Sequence, residues 1–385
     1  MIAVNKELLN NSVLVDEAKN LRNSNFITKG QLDAILLKFP GLKQQHNFLI
    51  WIGFFLLGCI LYSSIAGTLS LIAISGLSSN YEFLLFIYSL IGFVGCEILA
   101  KQNYYCYGLD DAFILGAQAC LFCGIGVVFE QPIAVFISMV IVGLFCCLRY
   151  LNILSALISC IGIVGFFSDL IVEFEIIDKG FLPFVTLFLA AILYFLYAKL
   201  VKTAERYYKN SLLLIQAFAL ILGYLSMNYL VVRELSEELM NVVIAPGTDI
   251  PFAFLFYGLT FLIPISYIFY SLLKKDKLML LIGFAALAFS FYTIRYYYSV
   301  LPLEIALILG GTLLSILAYF SIRKLKHKTS GVTFAQDRNA NNAILSNVEA
   351  VIVNLQVNLK GMPATEQKMP FGGGDASGGG SGGSY

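Results

Sequence analysis

"PIAVFISMVIVGLFCCLRYLNILSALISCIGIVGFFSDLIV", Pro132 to Val172, is one long apolar run broken by Arg149-Tyr150-Leu151-Asn152. As a single helix it would be about 60 Å long, twice the thickness of a bilayer core. A tight hairpin at Arg149 is the simpler reading, and it gives two membrane spans of ordinary length. Segments such as "FLPFVTLFLAAILYFLYAKL" are apolar on every face, without the period-two alternation of a barrel strand. The expected fold is therefore an all-α integral membrane protein.

Similar runs recur on both sides of this segment. Ten transmembrane helices in one bundle are expected within residues 47–324: 48–67, 82–100, 112–129, 132–148, 151–171, 181–199, 211–231, 252–272, 278–297 and 303–322. Residues 68–79 are apolar but too short to span; they either lengthen the first span or lie at the interface. Of 385 residues, 59% are hydrophobic and 13% charged. A soluble domain carries about 25% charged residues. Mean hydropathy is +0.81.

Charge placement supports the count. One set of loops holds Lys101, Arg149, Lys199, Lys202, Arg206, Lys209, Lys274, Lys275 and Lys277, and Arg323, Lys324, Lys326 and Lys328 follow the last span. The other side has Lys179, Arg233 and Arg295, together with Glu130, Glu173, Glu175, Asp178, Glu234, Glu237, Glu238, Asp249 and Glu304. Basic residues favour the cytoplasmic side, so both termini are expected there. The net charge of +1 gives no argument for a nucleic-acid partner.

Residues 1–46 are expected to form a cytoplasmic helical segment. No apolar core precedes Phe48, so a cleavable signal peptide is not expected. Residues 5–22 place Leu8, Leu9, Val13, Ala18 and Leu21 on roughly one helical face. Thr28 and Gln31 have the spacing of a capping box, and Pro40 stops the helix they start. At the other end, residues 325–360 contain a candidate amphipathic helix at 337–358. Residues 361–385 form a Gly/Ser-rich tail too poor in apolar groups to offset its ordering entropy. It reads as a flexible arm presenting Tyr385.

The stretch "NSNFITKGQLDAILLKF", followed by "FLIWIGFFLLGCILYSSIAG", resembles the start of a bacterial family of predicted membrane proteins of unknown function. Its members open with a helix of the form G-[LFI]-I-[ST]-x-x-Q-x-x-x-I, matched here by Phe26, Ile27, Thr28, Gln31 and Ile35. The tail "FGGGDASGGGSGGSY" is similar to Gly-rich ends of several bacterial membrane-protein families. The resemblance implies the bacterial inner membrane, and it brings no activity, catalytic residue or ligand.

The residues offer no catalytic constellation, metal site or cofactor site. The two His, His46 and His327, are far apart, and Cys120 and Cys123 have C-x-x-C spacing inside a span, where Cys packs as a small apolar residue. Polar residues inside spans are the functional candidates, because charge is costly in lipid. Glu97 lies near the inner end of the second span, with Lys101 at i+4 as an expected ion-pair partner. Asp110, Asp111 and Gln118 continue a candidate polar path. Gln216 and Asn228 are expected to make interhelical hydrogen bonds in the seventh span. Asp169, Arg295 and Glu304 form a candidate outer charged cluster. Pro264 is expected to kink the eighth span. Two functional readings follow: transport or permeation of a small solute or ion, or a non-transporting scaffold. The expected partners are the lipid bilayer and, for the scaffold, a protein at the cytoplasmic face.

Overall fold

The computed structural model describes residues 2–23, 26–45, 47–74, 82–174, 178–240 and 249–297, with isolated positions at 308, 311, 312, 315, 319 and 323. The chain is a polytopic all-α membrane protein. Its helices are α1 Lys6–Asn23, α2 Lys29–Lys38, α3 Phe48–Ile74, α4 Glu82–Lys101, α5 Leu109–Phe129, α6 Pro132–Tyr150, α7 Ile153–Phe174, α8 Leu182–Leu200, α9 Lys209–Leu225, α10 Tyr229–Met240, α11 Ala253–Lys274 and α12 Lys277–Tyr297. Among the described residues, nine helices are long and apolar enough to cross a membrane: α3 to α9, α11 and α12. Apart from those isolated positions, the expected tenth span at 303–322 lies outside the described residues. So do Glu304, the candidate helix at 337–358 and the Gly-rich tail.

The long apolar run is a hairpin. Helix α6 ends at Tyr150, Leu151 turns the chain in the left-handed region (φ 57°, ψ 26°), and α7 starts at Ile153. That conformation costs a residue with a β-carbon about 1 kcal/mol, offset here by burial of Leu151, which is 1% exposed. Small residues let the two helices approach closely. A Cβ on Gly143 would stand 2.9 Å from the Ser155 carbonyl oxygen, and one on Gly162 would stand 2.9 Å from the Val140 nitrogen. Such contacts replace the hydrophobic drive that lipid cannot supply. The other close pairs are α4 with α5, α8 with α9, and α11 with α12; α3 packs on α5, and α7 on α9.

Of the two readings of residues 68–79, the first holds for 68–74, which lengthen the first span as part of α3. Two expectations change. The seventh span is shorter than 211–231: α9 stops at Leu225, and Asn228 starts the separate helix α10 by accepting the Leu230 and Val231 N–H groups through Oδ1 (3.1 and 3.3 Å). An Asn side chain that captures backbone N–H groups competes with continued helix. In α1 the buried face is Leu9, Ser12, Val15 and Ala18, while Leu21 is 46% exposed. Pro264 lies inside α11, which runs through it to Lys274.

The N-terminal segment folds onto one end of the bundle, called here the corner end. The capping box of α2 forms in full: Gln31 N–H donates to Thr28 Oγ1 at 3.3 Å, and Thr28 N–H donates to Gln31 Oε1 at 2.8 Å. Ala3 N–H donates to the Arg149 carbonyl (2.9 Å), and residues 43–45 pair with the α4–α5 loop through Lys43 N–H to Asn103 O (2.9 Å) and Tyr105 N–H to Lys43 O (3.2 Å). Val4, Leu9, Leu42 and Ala100 close over Leu151. Lys6 with Glu205 (3.2 Å) and Arg206 with Glu17 (2.9 Å) add exposed ion pairs.

Candidate functional site

The α6–α7 corner organises the polar interior of the first half. Asn152 caps α7: its Oδ1 accepts the Ser155 N–H (2.8 Å) and hydroxyl (2.9 Å). Its amide is thereby oriented so that Nδ2 donates to Asp111 Oδ1 at 2.6 Å. The other carboxylate oxygen, Oδ2, accepts from Trp51 Nε1 at 2.8 Å. Trp51, the single tryptophan of the chain, reaches it because α3 passes close to the start of α5. Gly108 makes that approach possible. It has φ +100°, and a Cβ there would stand 2.4 Å from the Trp51 carbonyl oxygen. Gln118 Nε2 donates to Ser155 Oγ at 2.6 Å, so one chain of hydrogen bonds runs Trp51, Asp111, Asn152, Ser155, Gln118. Asp111 is 7% exposed and Gln118 is fully buried. Gln118 Oε1 has no hydrogen-bond partner.

The expected path Glu97, Asp110, Asp111, Gln118 is therefore partly assembled. Asp111 and Gln118 share a network. Asp110, also 7% exposed, turns away to accept the Tyr107 (2.9 Å) and Gly108 (3.1 Å) N–H groups, which folds the loop onto the start of α5. Glu97 is one third exposed, and its expected pairing with Lys101 gives way to α6: Oε1 accepts from Arg149 Nε (2.6 Å) and Tyr150 Oη (2.7 Å). A guanidinium and a phenol reaching across from a neighbouring helix provide two donors at once. Three of the four residues that break the apolar run thus hold two of the acids, Arg149 and Tyr150 on Glu97 and Asn152 on Asp111. Beside them, in the α4–α5 loop, burial pushes the Cys106 thiol well above its ordinary range, and the charges of Asp111 and Asp110 add to this.

The second half carries a related arrangement. Lys275 is in the left-handed region (φ 55°, ψ 44°), and Asp276 caps α12 by accepting the Met279 N–H at 3.3 Å. Gln216 of α9 donates through Nε2 to Asp276 Oδ2 at 2.6 Å. Asp276 is 3% exposed and Gln216 is fully buried, with its Oε1 unpartnered. Farther along, Asn228 Nδ2 donates to Tyr224 Oη (2.8 Å) and Thr293 Oγ1 (3.0 Å), the interhelical bonding expected of it. Of the outer cluster, Glu304 lies outside the described residues; among the described residues no ion pair joins Asp169 of α7 to Arg295 of α12, and Arg295 Nη1 is buried without a partner.

Sequence reasoning missed Trp51, Asn152, Ser155 and Asp276. For Asn152 and Asp276 the available signal was an Asn or Asp within three residues of a basic residue, at the break between two apolar runs. That is the position of a helix cap inside a tight hairpin. Cys120 accepts from Tyr62 Oη at 3.5 Å, a packing contact within the core of α3 to α6. No family model, curated protein or solved structure matches the chain.

Proposed function

We propose that the protein is a transport bundle that moves protons or small cations, alone or coupled to a solute, past Asp111. The observation behind this reading is a carboxylate sunk in a membrane bundle whose two hydrogen-bond donors, Trp51 and Asn152, are both neutral. Such a group can exchange its charge for a proton, or for a bound cation, without breaking an ion pair. Buried acids of this kind mark ion pathways by default. Ser155 and Gln118 extend the polar line into the bundle, and Glu97 with Arg149 guards its corner end. In this reading the corner end and both termini are cytoplasmic, which the basic loops support, and the protein sits in the bacterial inner membrane, which the resemblance of the N-terminal helix to the family of predicted membrane proteins described above supports.

The test is flux in reconstituted vesicles. Wild-type protein should conduct protons or an alkali cation, and Asp111→Asn should abolish that flux while the purified variant remains folded. Flux that survives the change removes Asp111 from the path. Reporters fused after Lys209 and after Lys277 should read cytoplasmic and one at Glu237 external; one reversed reporter would overturn the orientation. One observation favours the scaffold reading instead: Phe26 and Leu37, beside and on α2, are 79% and 86% exposed, the kind of apolar surface a protein partner covers. Absence of flux for every tested ion, with specific protein capture lost in Leu37→Lys, would establish that reading.

A further inference from the structure

We propose that the α11–α12 corner is a binding site for one alkali-metal cation, held by Asp276 and Gln216. This site is separate from the Asp111 path and does not depend on it.

Three features of the corner converge. Asp276 is a buried carboxylate whose hydrogen-bond donors, Gln216 Nε2 and the Met279 N–H, are neutral. The same Gln216 amide carries a fully buried carbonyl oxygen with no partner. This oxygen sits beside the carboxylate, because the nitrogen of that amide is the one bonded to Asp276. The corner is also fixed in place: Asp276 N–H donates to the Ser271 carbonyl at 3.0 Å, and Leu280 N–H to the Asp276 carbonyl at 3.1 Å.

A buried unpaired carbonyl and a buried unpaired charge are each costly. A proton on Asp276 would relieve only one of them. Were it donated to Gln216 Oε1, the amide would have to turn over and Nε2 would lose its acceptor. A cation between Oδ2 and Oε1 neutralises the charge and satisfies the carbonyl while the existing hydrogen bond stays. Oxygen ligands select hard cations. One carboxylate suits a single positive charge; calcium takes about six to eight oxygens, usually including several carboxylates. The charged residues nearest in sequence are Lys274, at the end of α11, and Lys275 and Lys277, which flank Asp276; α9 contributes Lys209 at its start. The first corner differs at this point. There Gln118 donates to the neutral Ser155, so its orphan carbonyl does not share its amide with a carboxylate bond.

The experiment melts purified full-length protein in sodium, potassium or lithium chloride, each against choline chloride at equal ionic strength. Binding to the folded state alone raises Tm in a saturable way. The expected result is such a rise with at least one alkali cation and none with choline. Asp276→Asn keeps the helix cap and should abolish the rise. Gln216→Met should raise the cation concentration for half effect by about tenfold. Asp111→Asn should leave the rise intact while it removes flux, so the two proposals fail separately. Choline matching the alkali cations, or a rise that survives in Asp276→Asn, overturns the site. Equilibrium binding of the same cations to wild-type protein gives a check that needs no variant, and absence of saturable uptake there also overturns it.

Discussion

The two hairpin corners share a plan and differ in where the charge sits. Each has a residue in the left-handed region, then an Asn or Asp that caps the next helix, then a buried Gln from another helix within hydrogen-bond reach of that corner. At the α6–α7 corner the cap is the amide Asn152 and the acid is Asp111 on the facing helix. At the α11–α12 corner the cap is the acid Asp276 and the amide is Gln216 on the facing helix. In both, carboxylate meets carboxamide. An amide cap keeps an N–H₂ group free to reach outward, so it can serve a distant acid. A carboxylate cap has only acceptors, so a donor must be brought to it. The same turn can therefore hold charge on either side, but the two sides are not interchangeable.

That asymmetry can be broken experimentally. The largest effect should come from Asn152→Asp, which sets two carboxylates against each other in a buried site. A destabilisation of about 3 kcal/mol or more is expected from denaturant unfolding in detergent. A variant as stable as wild type would show that Asn152 is not the donor to Asp111. Trp51→Phe keeps an aromatic ring, though a smaller one, and removes the other donor; it should cost about 2 kcal/mol, and a neutral result would assign the hold on Asp111 to Asn152 alone. Glu97 and Arg149 are each one third exposed, so solvent screening reduces their pairing. A double-mutant cycle of Glu97→Gln with Arg149→Gln should give a coupling of about 1 kcal/mol, clearly larger than the cycle of Glu97→Gln with Lys101→Gln. Equal couplings would restore the helical i+4 pair. The smallest effect belongs to Asp276→Asn in choline buffer, about 0.5 kcal/mol, because Asn caps a helix as well as Asp, and its Nδ2, standing where Oδ2 was, donates to Gln216 Oε1 once that amide turns over. A cost as large as that of Asn152→Asp would erase the difference between the corners.

The bundle was legible because lipid imposes a coarse requirement: a long apolar run must be a helix, and a charged break in an over-long run must be a turn. The hairpin at Arg149 and the capping box at Thr28 follow from such local rules, and the structure has both. The seventh span was over-read because hydropathy does not register that Asn228 can cap a new helix with one side chain. Glu97 was given the wrong partner for a related reason. Sequence spacing reports neighbours on one helix, whereas the stronger donors came from α6. Asp111 and Gln118 stood out as polar residues in an apolar run. Their connection through Asn152 and Ser155 depends on how α5 lies against α7, and no local pattern encodes that. Asp276 was hidden among Lys274, Lys275 and Lys277, where a flanking acid reads as part of a solvated loop.

The N-terminal segment has a consequence for biogenesis. Its ion pairs to Glu205 and Arg206 span 199 and 189 residues, and Ala3 binds the turn after α6. Helix α1 leaves the ribosome before α8, yet the surface that receives it is complete only after α8 has been inserted. Contacts of such long range close late, and a chain made at about 5–20 residues per second leaves α1 waiting for on the order of ten seconds or more. During that interval its apolar face has no home in the protein. Docking then requires the right sidedness, because an odd number of missed spans would leave Arg149 or Glu205 on the opposite side of the bilayer. A chain threaded wrongly would leave Leu9 without the cover that Ala100 and Leu151 give it in the correct fold.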